Sequence, residues 1–278
     1  MSFIKIEDLN GILKIKMQST ILGMKPKMFC VCAYYTDGVL IDTGFKKVDK
    51  QLCSLFKTRP LSIIINTHNH EDHIGGNYLL TKTYKLTAYA HKDALQRIAN
   101  PPRDYPISNG LCWGLAKPSP VEEIPNEIKG NNFTFKAIET FGHSPGHISI
   151  YIPEKEWVVG GDIFITKRPI FLRATESVSG TIKSLEKIID LKPKKFFCAS
   201  GKVLENPIEE LQKKIDNFSQ WREKVLALYR EGISPEEIRD RVFGKESSFA
   251  YMSRGIFSKM NFVKNILKEE RNHKVGEI

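Results

Sequence analysis

An isoleucine-rich run, Leu61–Asn66, passes directly into Thr67-His68-Asn69-His70-Glu71-Asp72-His73. The run has the length and composition of a strand buried on both faces of a sheet. It delivers a cluster of imidazoles and carboxylates to one strand end, and few folds can use such a cluster except to hold a cation. In extended backbone, side chains two apart point the same way, so His68 and His70 face one point. Asp72 and His73 follow as the chain turns into a helix and face a second point close by. Imidazole and carboxylate are the ligands that Zn²⁺, Mn²⁺ or Fe²⁺ accept. Gly75-Gly76 follows at once and gives the backbone freedom near the site. The chain has seven histidines: three lie in this segment, and two more, His143 and His147, lie in Gly142-His143-Ser144-Pro145-Gly146-His147. A lone histidine is usually a satisfied core or surface residue, whereas a concentration like this one points to a metal centre. Asp42, in Leu40-Ile41-Asp42-Thr43-Gly44, and Asp162, after Val158-Val159-Gly160-Gly161, each stand at the end of a predicted strand.

At 278 residues the chain suits one domain of about 200 residues plus a smaller unit. Phe29–Tyr35 and Val39–Ile41 flank Thr36-Asp37-Gly38, a hairpin turn signal. A helix is expected from near Asp72 through Leu80, then a strand at Leu86–Ala90 and a helix at His91–Ala99. Asn100–Pro125 holds six prolines and reads as a long irregular loop of the kind that forms active-site lids. Its Tyr105 and Trp113 are candidate pocket walls, with Trp113 equally suited to anchoring the loop in the core. Strands are expected at Asn132–Ile138, Ile148–Ile152, Trp157–Val159 and Phe196–Ala199, with a helix at Thr181–Leu191. This alternation indicates layered sheets and helices. Past Gly201 the pattern is helical only. Asn206-Pro207-Ile208-Glu209 and Ser234-Pro235-Glu236-Glu237 both read as capped helix starts, with Gly232 ending the helix between them and a third helix over Ser253–Glu270. A boundary near residue 205 divides a catalytic domain, 1–205, from a C-terminal helical subdomain, 206–278.

The net charge of +10 favours a small anionic substrate and leaves nucleic acid as a less favoured partner, since no basic stripe interleaves with aromatics. No apolar run approaches the roughly 18 residues of a membrane span, so no membrane partner is expected. The acidic Glu7 and Asp8 do not suit a signal peptide. The five cysteines lack the spacing of a disulfide framework, and a cytoplasmic location follows. Cys30 and Cys32 are placed on one face of a strand. A homodimer is compatible with the helical tail.

Together, Asp42, His68-x-His70-x-Asp72-His73, His143 and Asp162 resemble, in order, the motifs of the metallo-β-lactamase superfamily, over about residues 12–205. The resemblance is to its glyoxalase II and lactamase-β-like hydrolase branch. It implies an α+β fold, a four-layer αββα sandwich here followed by the C-terminal helices. It also implies that His68, His70 and His143 hold a first metal, that Asp72 and His73 hold a second, and that Asp162 bridges both. Asp72 and Asp162 would orient the attacking water; Asp42 and His147 would support the ligands. Family members usually place a last histidine after the final core strand, where this chain has Ser200. A hydroxyl is a poor substitute for imidazole, so the second site is expected to be weak or filled through water.

The activity this implies is attack of metal-activated hydroxide on an ester, thioester or lactone, with one or two zinc ions, iron and manganese being admissible. Two other chemistries compete: a metal-dependent ribonuclease or phosphodiesterase, and a mononuclear iron persulfide dioxygenase using His68, His143 and Asp162. A binding module without activity is the remaining reading.

Overall fold

The computed structural model describes residues 2–20, 29–102 and 107–276, with the backbone alone at 107–109 and 273–276. The first sheet runs β1 (Phe3–Asp8), β2 (Leu13–Gln18), β3 (Cys30–Thr36), β4 (Val39–Ile41), β5 (Ile63–Ile65), β6 (Ala88–Ala90) and β7 (Val121–Glu123) in that spatial order. Pairing is antiparallel from β1 to β4 and parallel from β4 to β7. The hairpin between β3 and β4 turns at Asp37 and Gly38, both with positive φ, as an Asp-Gly turn requires. Cys30 and Cys32 share one face of β3, close enough for their thiols to hydrogen-bond.

The second sheet contains β8 (Glu127–Lys129), β9 (Thr134–Glu139), β10 (Ile148–Ile152) and β11 (Trp157–Gly161). A short β12 (Leu172–Arg173) lies outside it, and β13 (Lys195–Cys198) and β14 (Val203–Leu204) complete it in the order β14-β13-β11-β10-β9-β8. The two sheets pack face to face: Tyr34, Val39, Ile41 and Ile65 meet Phe135, Ile148, Ile150, Val159 and Phe197. Residues one position along each strand turn the other way. Thus Leu40 and Ile64 pack instead with Leu52, Leu80 and Trp113, which belong to α1 (Asp49–Leu55), α3 (Asn77–Tyr84) and α5 (Ile107–Trp113).

The chain divides into two compact units: Met1–Glu139 with Pro145–Asp162 and Pro193–Glu205, and Thr140–Ser144 with Ile163–Lys192 and Asn206–Ile278. The second unit thus takes in more than the residues after 205. Its core explains why: Leu172, and Val178 of α6 (Val178–Asp190), are buried with Phe218 and Val225 of α7 (Pro207–Arg230), Ile238 of α8 (Pro235–Phe243), and Phe262 and Ile266 of α10 (Met260–Gly276).

Several local expectations change. The helix foreseen from Asp72 to Leu80 is two helices, α2 (Glu71–Ile74) and α3, because the Gly75 N–H donates to the Gly44 carbonyl at 2.6 Å and the His73 carbonyl accepts the Thr43 N–H at 2.8 Å, outside the helical ladder. The helix foreseen after His91 forms as α4 (Lys92–Ala99), with the His91 side chain accepting from the Asp93 N–H. Asn100–Pro125 is not irregular throughout: it contains α5 and β7. Trp113 is buried against Phe45 and Phe29, so it anchors this segment; Tyr105 lies outside the described residues. The helix expected over Ser253–Glu270 is interrupted. Arg254 and Gly255 have positive φ, and β15 (Phe257–Ser258) pairs with β12 between α9 (Ser248–Met252) and α10. Asn206 precedes α7 as foreseen but makes no side-chain cap bond, whereas Ser234 accepts from the Glu237 N–H.

A Cβ at Gly75 would stand 2.3 Å from the Lys46 nitrogen and 2.4 Å from the Phe45 carbonyl carbon. Gly75→Ala is therefore expected to lower stability by about 1–3 kcal/mol through overpacking, read as a fall in the thermal denaturation midpoint.

Candidate metal centre

Parallel β4 and β5 end side by side and release Asp42 and Asn66-Thr67 at the same sheet edge. Asp42 adopts φ +63°, a costly conformation for a residue other than glycine. It is held by what its buried carboxylate does. Oδ1 accepts the Thr67 backbone N–H at 2.8 Å, Oδ2 accepts the Thr67 hydroxyl at 2.8 Å, and His73 Nδ1 lies 2.8 Å from Oδ2. A carboxylate only accepts, so His73 carries a proton on Nδ1 and presents Nε2 to the site. Thr67 gives its one hydroxyl proton to Asp42, so its oxygen accepts from His68 Nδ1 at 3.0 Å. His68 is thereby also set to present Nε2.

That His68 Nε2 lies 2.9 Å from His70 Nδ1, with the rings 83° apart. Buried hydrogen bonds fix the turn carrying them. Asn77 Nδ2 donates to Asn66 Oδ1 at 2.7 Å and Thr43 Oγ1 donates to Asn77 Oδ1 at 2.7 Å. The Thr43 N–H donates to the His73 carbonyl at 2.8 Å. Asp162 leaves the end of β11, and its N–H donates to Nε2 of the fully buried His147 at 3.2 Å. Gly161 just before it has φ +55°, and a Cβ there would meet His147 Nε2 at 2.8 Å and Thr67 Oγ1 at 2.9 Å.

Among the described residues, His68, His70, His143 and Asp162 form one group of metal-ligand type, each offering an atom within 4.8 Å of the others. His143 Nδ1 lies 2.6 Å from Glu176 Oε1. The donor set fits a divalent cation, and His73 supplies a second sign of one. Its Nε2 is buried with no hydrogen-bond partner among the described residues, 3.6 Å from Asp162 Oδ1 and 3.9 Å from Asp72 Oδ2. Burial alone would push this imidazole down, but Asp42, Asp162 and Asp72 raise its pKa well above the ordinary 6.5. A position where carboxylates so favour positive charge suits a cation as well as a proton.

Of the sequence-predicted residues, His68, His70, His143 and Asp162 lie in one group, and Asp72 and Asp162 lie 3.9 and 3.6 Å from His73 Nε2. Ser200 stands in the turn closed by the bond from the Cys198 N–H to the Lys202 carbonyl. Cys198 is fully buried. Sequence reasoning missed Thr67, which was legible only as the neighbour of His68, and Glu176, which no local pattern marks.

With this site at the strand ends of two packed sheets, the fold and chemistry define a metallo-hydrolase architecture. A sequence model of the metallo-beta-lactamase superfamily matches residues 31–200, and the chain belongs to that superfamily. It is 28% identical over 207 residues to a Drosophila melanogaster "Beta-lactamase-like protein 2 homolog", covering 69% of this chain and 64% of that protein. It is 33% identical over 102 residues to a "Hydroxyacylglutathione hydrolase" of Pelagibacter ubique, covering 37% of this chain and 36% of the other. The fold matches that of a metallo-beta-lactamase family protein from Thermus thermophilus, with TM-score 0.68 and 15% identity, over 96% of this chain and 95% of that one.

Asp42→Ala would strand three donors. It is expected to weaken metal binding about 10–100-fold and to destabilise the fold by about 3–5 kcal/mol, measured by chelator competition and thermal denaturation. For the metal-stripped protein, the raised pKa of His73 means a stabilising contribution present in full below about pH 6.5 and lost as pH rises through the folded value. Its denaturation midpoint should therefore decline at alkaline pH more steeply than that of His73→Gln.

Proposed function

We propose that the chain is a metal-dependent hydrolase of a small ester, thioester or lactone, with a thioester the favoured substrate and zinc the favoured metal. The observation that carries this is the convergence of His68, His70, His143 and Asp162 within 4.8 Å. Three imidazoles and a carboxylate are a donor set that zinc accepts. The relative from Pelagibacter ubique bears the name of a hydrolase of an acylated thiol, glutathione, which supports the thioester. The charge of +10 supports an anionic substrate. Five cysteines with no disulfide among the described residues support a reducing, cytoplasmic setting.

In this reading His68, His70, His143 and Asp162 hold the first ion, and Asp72, His73 and Asp162 face the second position. A bound divalent ion supplies Lewis acidity, which makes water nucleophilic near neutral pH. The chain does the rest. The Asp42–Thr67 pair keeps the His68 proton on Nδ1. The bond from the Asp162 N–H to His147 fixes the start of the Asp162 loop. Asp72, whose side chain remains 20% exposed, accepts a proton at Oδ2 as water adds to the acyl carbon, and that proton passes to the thiolate or alkoxide released when the acyl–sulfur or acyl–oxygen bond breaks. Serine at position 200 leaves the second position with the His73 imidazole alone beside its carboxylates, and we expect it to bind weakly.

The subset His68, His143 and Asp162 also fits an iron oxygenase, but His70 adds a fourth donor to the same group and favours hydrolysis. Metal analysis combined with thioester, lactone, phosphodiester and persulfide substrates separates these readings. One tightly held zinc per chain and thioester turnover are expected. His68→Ala is expected to lose activity by more than the roughly 100-fold that removal of a supporting partner costs. Iron with oxygen consumption, or full activity of His68→Ala after metal depletion, would overturn the reading.

A further inference from the structure

His143 stands in a short connection, Thr140–Ser144, with no regular structure of its own. Its backbone is fixed from α6. The Ser184 hydroxyl donates to the Phe141 carbonyl at 2.5 Å, and the Ser177 N–H donates to the Gly142 carbonyl at 2.7 Å. Gly142, at φ +150°, lies so close to α6 that a Cβ would meet the Thr181 nitrogen at 2.6 Å. The imidazole is fixed separately by Glu176, whose Oε1 is 2.6 Å from His143 Nδ1 while its Oε2 accepts the Arg173 N–H at 2.9 Å.

The segment bearing Glu176 is in turn held by α10. Asn265 Nδ2 donates to the Glu176 carbonyl at 2.9 Å, and Asn265 Oδ1 accepts the Val178 N–H at 2.8 Å. Glu269 Oε1 accepts the Ser177 hydroxyl at 2.7 Å, and its Oε2 accepts the Ser179 N–H at 3.2 Å. Two side chains one helical turn apart therefore grip the chain at and just beyond the residue that touches His143.

We propose that Glu176 is a positioning residue for the metal site, and that Asn265 and Glu269 of the C-terminal helix hold it in place. By accepting from Nδ1, Glu176 sets the His143 tautomer so that Nε2 is the ligating atom, and it raises the basicity of that nitrogen. The proposal rests on the reading of His143 as a ligand, and its test keeps the two apart.

Zinc affinity of the full chain, stripped and then titrated against a chelating indicator, is measured for wild type, His143→Ala, Glu176→Gln, Glu176→Leu and Asn265→Ala. Thermal denaturation monitors folding, and ¹⁵N-resolved imidazole spectra report the His143 tautomer in the zinc-loaded protein. His143→Ala is expected to lose tight binding. Glu176→Leu is expected to weaken zinc about 10–100-fold and lose the His143 Nδ1–H signal, while Glu176→Gln, which can still accept that proton, retains the signal with a smaller loss of affinity. Asn265→Ala is expected to weaken zinc several-fold. Wild-type affinity in His143→Ala overturns the ligand reading. Loss there, with wild-type affinity and spectra in Glu176→Leu and Asn265→Ala, overturns the positioning role. If Glu176→Leu does not fold, wild-type zinc affinity in both Glu176→Gln and Asn265→Ala overturns it instead.

Discussion

The site depends on one buried carboxylate. Asp42 takes three donors from two segments, Thr67 and His73, and these lie on opposite sides of the turn that carries His68 and His70. A buried charge is tolerated only when fully hydrogen-bonded, so Asp42 can be satisfied only if β5 ends beside β4 and α2 folds back over that end. The same bonds fix which nitrogen each imidazole offers. Strand order and ligand tautomer are thus consequences of a single interaction, and the strained φ of Asp42 is the conformational cost of aiming it.

How much of this was legible in the sequence follows from the range of each interaction. The candidate residues His68, His70, Asp72 and His73 could be read because a strand end and a helix start place neighbouring residues together by their own periodicity. Asp42, His143, His147 and Asp162 were legible as polar residues close to glycine in strand-end and turn segments, and the family resemblance gave them order. The helix break at Gly75-Gly76 was not read, because the Gly75 N–H bonds to the Gly44 carbonyl and the His73 carbonyl to the Thr43 N–H, partners about 30 residues away. The interruption at Arg254–Gly255 was missed for a similar reason: β15 exists through its pairing with β12, distant in sequence. Glu176 was invisible, because a glutamate 33 residues from His143 looks like any surface acid.

The two metal positions are unequal in construction. The first has four residues of ligand type in one group, with the His68 ring against the Thr67 hydroxyl and the His143 ring against the Glu176 carboxylate. The second has His73 Nε2 buried without a partner among the described residues, 3.6 Å from Asp162 and 3.9 Å from Asp72. Buried imidazole with no hydrogen bond is unfavourable, so the second position retains a preference for a proton or a cation even with an incomplete ligand set. Protons compete directly with metal there, because the carboxylates that would attract the ion also raise the pKa of His73.

The helical extension then takes on a definite physical role. Metal-site precision requires ligands whose rotamers are fixed by neighbours, yet His143 and Asp162 both enter from connections rather than from strand or helix interiors. The extension supplies the missing rigidity. Through Asn265 and Glu269, α10 holds the segment of Glu176. From α7 the buried Lys214 donates to the carbonyl of Ile163, the residue after Asp162, at 2.8 Å, with Phe164 and Phe218 rings 5.6 and 5.3 Å from its ammonium. Burying a lysine is costly, and part of this one's hydrogen-bonding capacity goes to a carbonyl beside Asp162. Two helices from the C-terminal part of the chain therefore stabilise residues adjoining separate ligands.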